Sequence, residues 1–289
     1  MDHQLNENSE ITQNSLIMKL DISDIVLTPL TCASLINEML KGLQYQKSQI
    51  PYPYSWMKMM VDKKRKHSDN GGPYHGVNLS AANYFHVVSS AYDTLESVML
   101  AITREFRECV NNIKEVTFLF GATPQCPKEI FTIYISCLTK SHVERNHAAD
   151  LGRYQMRILR RLFLSKEWLA HVSSSYSCTN TYVYLKKDII GSEDCCKSQT
   201  DFVPAKPLTF SSKMKHVQIY FEPDNEAVPS NCCENLTIFE DENHSINHQQ
   251  KTCINIGECE KNIVWYQYRD LIKGFKDCFI NKESASKLW

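Results

Sequence analysis

Apolar residues along this chain return at two spacings, and each spacing predicts a different element. Between Ser80 and Val110, Val88, Tyr92, Leu95, Met99, Ile102 and Phe106 recur every three or four positions. That is the period of an α-helix with one buried face. A helix of roughly 30 residues would be about 45 Å long, enough to cross a whole domain. A second helix is predicted over 31–47, with Thr31 as its N-cap and Leu35, Ile36, Met39, Leu40 and Leu43 on its apolar face. Pro51 and Pro53 end helical order there, and a short amphipathic helix can follow from Tyr54. Strands are predicted where apolar content is dense and the period is two. These are Asp21–Thr28, Glu115–Gly121, Glu129–Cys137, Asn180–Lys186 and His216–Phe221. Glu115–Gly121 and Glu129–Cys137 are joined by a short proline-bearing link, so they read as an antiparallel pair packed on the long helix. Asn262–Phe275 restores aromatic content late in the chain and is expected to dock on the body.

The stretch Ala149–Leu169 is predicted to be one helix of about six turns. At about 100° per residue, Leu151, Tyr154, Ile158, Leu162 and Leu169 fall on one face. Met156, Leu159 and Phe163 gather on a second stripe, and Arg153, Arg157, Arg160 and Arg161 fill the remaining arc. Four arginines argue against deep burial, because an unpaired buried guanidinium is costly. The second stripe is therefore either core under a covering loop or a face offered to a partner.

Composition narrows the class. The chain has 289 residues, 43% hydrophobic and 22% charged, with a net charge of −1. That is a globular composition with enough apolar mass for a real core. Near-neutral charge gives no reason to expect nucleic acid or a membrane as partner. The Met1 end is polar and acidic rather than a signal peptide, and no apolar run is long enough for a span. Residues 1–18 read as a disordered leader. Lys63–His67 (KKRKH) precedes Gly71-Gly72-Pro73 and reads as a charged loop, an import signal or an anionic contact. Residues 223–260 read as a long mobile acidic loop inside the domain.

Candidate chemistry is sparse. With nine glycines and no GxxxxGK or GxGxxG, the chain has no phosphate cradle, and neither a Gly-x-Ser-x-Gly elbow nor HExxH occurs. No cofactor is expected and the chain reads as not an enzyme. Twelve cysteines without a signal peptide point to reduced thiols in the cytosol or nucleus. Cys232, Cys233, His244, His248, Cys253 and Cys259 are the best metal candidates, but vicinal cysteines and loose spacing suit a zinc tetrahedron poorly. They and Cys195-Cys196 read as free thiols, with no metal site.

Four blocks carry a resemblance. LINEMLKGLQYQKSQIPYP (Leu35–Pro53), LESVMLAITREFRECVNNIKEVTFLFGATPQCPKEIF (Leu95–Phe131), ILRRLF (Ile158–Phe163) and IVWYQYRDLIKGFKD (Ile263–Asp277) occur in the order and spacing of the Comet family. These are HORMA-like adaptors of the spindle assembly checkpoint that bind Mad-two (Mad2). The resemblance implies an α+β, HORMA-like fold: a mainly antiparallel sheet packed on three helices, with a C-terminal belt segment. The HORMA-like domain is read over 19–280, and a tail over 281–289 extends past the family's ending. The resemblance implies a monomeric adaptor of nucleus and cytoplasm, at the spindle or kinetochore in mitosis. Such an adaptor binds closed Mad2 and presents it to an AAA+ ATPase, dismantling the checkpoint complex. Gln46 and Phe163 match family residues at the Mad2 interface, with Tyr45, Leu159 and Arg160 as neighbours; Lys206 aligns loosely with a lysine contacting the ATPase. Ala205 stands where the family has a proline before that lysine. A HORMA-type adaptor for a meiotic or DNA-repair partner is the alternative.

Overall fold

The computed structural model describes residues 15–22, 27–69, 79–108, 112–135, 151–172, 176–188, 201–209, 214–222 and 263–288. In chain order the elements are β1 (Ser15–Asp21), α1 (Pro29–Gln46), α2 (Tyr54–Asp69), α3 (Leu79–Glu108), β2 (Ile113–Gly121), β3 (Pro127–Tyr134), α4 (Leu151–Phe163), α5 (Lys166–Val172), β4 (Asn180–Asp188), β5 (Phe202–Ala205), β6 (Lys215–Glu222), β7 (Ile263–Tyr268), β8 (Ile272–Lys273), β9 (Phe279–Ile280) and β10 (Glu283–Ser284), then a 3-10 turn over Ala285–Leu288.

The large sheet has the order β1-β6-β3-β2-β4-β7-β5, and β8 continues the track of β7 along β4. β6 runs parallel to β1 and to β3, while the other pairings described in this sheet are antiparallel. β2 lies at its centre, as its scarcity of polar residues predicts. Alternation along the strands divides their side chains between two faces. Val116, Phe118, Phe120, Phe131, Ile133, Val183 and Leu185 enter the main core under the helices. Leu119, Ile130, Tyr182 and Tyr184 form a smaller cluster on the other face, covered in part by Leu208, Met214, Trp265 and Leu271.

The helical layer rests on α3. All six apolar residues that define its period in the sequence are buried. α1 lies against it, and the Asn37 amide Nδ2 donates to the Met99 carbonyl and to Thr103 Oγ1, both at 3.1 Å. Here the mainly antiparallel sheet on helices agrees with expectation, with five helices described rather than three.

Several boundaries differ for local reasons. α1 begins at Pro29, not Thr31: Thr28 is the N-cap and its Oγ1 accepts the Thr31 N–H at 3.2 Å. Proline at the first helical position loses no hydrogen bond. The first strand is Ser15–Asp21 rather than Asp21–Thr28, so Ser15–Met18 are strand and not leader; β6 supplies the partner. Lys63–His67 is helical, not loop. Met57, Met60 and Val61 bury one face of α2, and Arg65 Nη2 donates to both Asp93 oxygens at 2.9 and 2.7 Å. Residues 281–288 are not a free tail. Asn281 and Lys282, with φ of 51° and 70°, form the turn between β9 and β10, and Ala285 beyond them is buried. Tyr52 holds this segment through hydrogen bonds to Asp277 and Ser284. The acidic stretch 223–260, with Cys232, Cys233, His244, His248, Cys253 and Cys259, lies outside the described residues, as do Cys195 and Cys196.

Candidate functional site

α1 ends in a way that fixes the last residues before its cap. Ser48 takes a left-handed φ of 55°. The Ser48 N–H donates to the Tyr45 carbonyl at 3.0 Å, and the Gln49 N–H reaches back to Gln44 at 2.9 Å. This is a Schellman closure, which consumes the orphan carbonyls of the final turn. Tyr45 is left 48% exposed, Gln46 half-buried and Lys47 fully buried.

The predicted six-turn helix is broken in two, and the break builds the other half of the site. Ser165 Oγ donates to the Leu162 carbonyl at 3.1 Å and accepts the Trp168 N–H, also at 3.1 Å. One serine thus ends α4 and caps α5, the job a short hydroxyl side chain does best. The break turns the chain so that the stripe read along one continuous helix does not hold past Phe163. Ile158 and Leu162 are buried, and Leu151 and Tyr154 half-buried. Leu169, assigned to the same face, is 51% exposed on α5. Of the second stripe, Met156 is exposed, whereas Leu159 and Phe163 are half-buried against the core.

The two helices meet at Gly42 and Phe163. A Cβ placed on Gly42 would stand 2.6 Å from Phe163 Cζ and 2.7 Å from Cε2. Only a glycine lets the ring approach α1 so closely. Trp168 completes the contact. Its Nε1–H donates to Gln46 Oε1 at 3.1 Å, and its ring centroid lies 5.3 Å from that of Phe163. Gln46 and Phe163 are therefore brought together, with Tyr45 and Leu159 beside them on α1 and α4 and Arg160 exposed one residue on. Lys206 is not part of this group. It is exposed just after β5, at one edge of the sheet, while Arg161 of α4 reaches the Asp21 carbonyl of β1, at the opposite edge.

Beneath the site is a buried ion pair. Lys47 Nζ lies 2.6 Å from Glu129 Oε2 and donates to the Val172 carbonyl at 3.2 Å. Burial pushes the Glu129 carboxyl up and the Lys47 ammonium down, and each charge pulls its partner back. His171 is lowered by burial and by the nearby Lys215 and Lys47 charges. The pair ties the end of α1 to β3 and to the end of α5. Among the described residues, no group of three potential metal ligands occurs.

Gly42, Trp168 and the Lys47–Glu129 pair are missing from the sequence reading. Trp168 falls off the apolar stripe when the helix is drawn unbroken, and the break is signalled only by Ser165, a residue that also occurs inside helices. Chemically, the site offers a partly accessible aromatic ring, a primary amide and a cationic rim. That combination suits protein docking.

A mixed, mainly antiparallel sheet under a layer of helices, closed by a C-terminal segment, is an α+β arrangement of the HORMA-like kind. Over residues 16–203, more than half its length, the chain matches the p31comet family, described as "Mad1 and Cdc20-bound-Mad2 binding"; it belongs to that family. Membership makes it a Mad2-binding adaptor by family, with protein–protein interaction in the spindle checkpoint as its role. No curated protein matches the chain.

Proposed function

We propose that the chain binds the closed conformer of Mad2 through the face formed by Tyr45, Gln46, Leu159, Arg160 and Phe163. It then presents that conformer to an AAA+ remodelling ATPase, so that the mitotic checkpoint complex is dismantled and the checkpoint silenced. The observation that carries this reading is the convergence of Gln46 and Phe163, 117 residues apart in sequence, on one indole. An aromatic anchor with polar neighbours is the usual composition of an interface hot spot. Lys206, exposed at the far edge of the sheet, is the proposed ATPase contact. In this reading the chain is a monomer when alone and non-enzymatic. It works in nucleus and cytoplasm, and at the spindle or kinetochore in mitosis.

The test is size-exclusion chromatography with closed and with open Mad2. The wild type should co-elute with the closed form only. Phe163→Ala should abolish co-elution while still melting cooperatively, at a somewhat lower temperature because the ring is half-buried. Unchanged co-elution of the folded variant would refute the assigned face.

A further inference from the structure

Gln46 and Phe163 sit on different helices, and one buried side chain touches both. Trp168 is 1% exposed, so it cannot itself meet a partner. Behind it lies the Phe131 ring of β3, 5.8 Å away and tilted by 47°, which braces the indole on the sheet. In front, its Nε1–H reaches Gln46 Oε1 at 3.1 Å and its ring leans on Phe163 at 58°. Its own backbone is held by the Ser165 cap.

The chemistry of this hydrogen bond has a direction. An indole N–H can only donate, so the atom of Gln46 it meets must be the carbonyl oxygen. What Gln46 keeps whole for a partner is its NH₂ group, two donors, while one lone pair of its carbonyl oxygen is taken by the indole. A free glutamine side chain would sample several rotamers and lose that freedom on binding. A pinned one has lost it on folding. We propose that Trp168 is the positioning residue of the docking face, and that it fixes Gln46 as a donor toward a carbonyl or carboxylate acceptor on the bound Mad2 while backing the Phe163 ring. This rests on the docking face proposed above.

The experiment is a calorimetric titration of closed Mad2 into four variants: Trp168→Phe, Gln46→Ala, their double mutant, and Gln46→Glu. Trp168→Phe should weaken binding about fivefold, the cost of immobilising on binding a Gln46 side chain that folding no longer holds. In the Gln46→Ala background the same change should cost nothing further. A purely structural role would weaken both backgrounds equally. Gln46→Glu keeps an acceptor for the indole and loses the outward donors, so it should bind at least as poorly as Gln46→Ala. Equal losses in both backgrounds, no loss from Trp168→Phe, or wild-type binding by Gln46→Glu overturns the inference. If the smaller ring prevents folding, the benzothiophene isostere of tryptophan at 168 removes the N–H alone and gives the same readout. Should Gln46→Ala and Phe163→Ala both bind as the wild type does, the docking face itself is wrong, and the inference falls with it.

Discussion

Gly42→Ala separates docking from stability, because it moves Phe163 without altering it. An alanine Cβ at 42 would lie 2.6 Å from the ring tip, where carbon atoms normally rest about 3.5–4.0 Å apart. The ring must withdraw by about 1 Å. It is the far end of a side chain that is only half-buried, so it can swing outward, at about 0.5–1.5 kcal/mol if it leaves its rotamer well. Against this, replacing glycine within a helix returns about 1 kcal/mol. The two terms nearly cancel, and the melting temperature should move by no more than a few degrees. Binding has no such offset. Displacing a central aromatic anchor costs at least about 2 kcal/mol, or roughly 30-fold in affinity. Thermal melting and titration of closed Mad2 on the same sample measure both quantities. Wild-type affinity with an unchanged melting temperature would show that the Phe163 pose is irrelevant to docking. A large drop in melting temperature would show that the ring cannot swing, and would refute the packing argument. Adding Phe163→Leu removes the clash, so the double variant should melt above Phe163→Leu alone by the helix-propensity gain.

Lys47→Met should lower stability by about 3–5 kcal/mol in urea melts, because it strands the Glu129 carboxylate in the core, whereas Lys47→Met with Glu129→Leu should recover most of that loss. Burial lowers the pKa of His216 from 6.5 to about 4, beside Thr132 Oγ1 at 2.9 Å. Between those values the unfolded chain takes up a proton that the folded chain refuses. The stabilisation is therefore complete above about pH 6.5 and is lost as pH falls toward about 4. His171, also lowered, acts in the same direction. The urea midpoint should drop between pH 7.5 and pH 5 (about two and a half units of pH), and His216→Gln should flatten that slope; an unchanged slope would refute the assignment.

What the sequence reveals depends on how local the cause is. α3 is legible almost to the residue, because its six-fold apolar repeat needs nothing but a core to face. β2 and β3 are legible for the same reason, with the short Pro-bearing link setting their antiparallel sense. Lys63–His67 is misread as loop because a charge run looks the same on a solvated helix face as in a coil. Its helicity depends on Met57, Met60 and Val61 upstream and on Asp93 of a different helix. Ser15–Met18 look like leader because the strand they form needs β6, some 200 residues later, to exist. The break at Ser165 is the costliest miss. Hydrophobic period alone cannot distinguish one helix of six turns from two helices sharing a cap.

That break also explains why the second stripe resists a choice between core and interface. In the proposed docking face Phe163 belongs to both. Its tip is packed on Gly42 and its flank on Trp168, yet it is not fully enclosed. A ring wholly in solvent would have to be ordered on binding, and a ring wholly in the core could not be reached. Sharing one residue between the two means that folding sets the pose and the partner meets it ready-made, which lowers the entropy lost on association. The same holds for Gln46 through its bond to Trp168. The buried Lys47–Glu129 pair then has a structural reason, since it joins the end of α1 to the strand beneath and to the end of α5. An ion pair there contributes little net stability. It does specify one arrangement of three elements, and the proposed docking face, assembled from two of them, requires that arrangement.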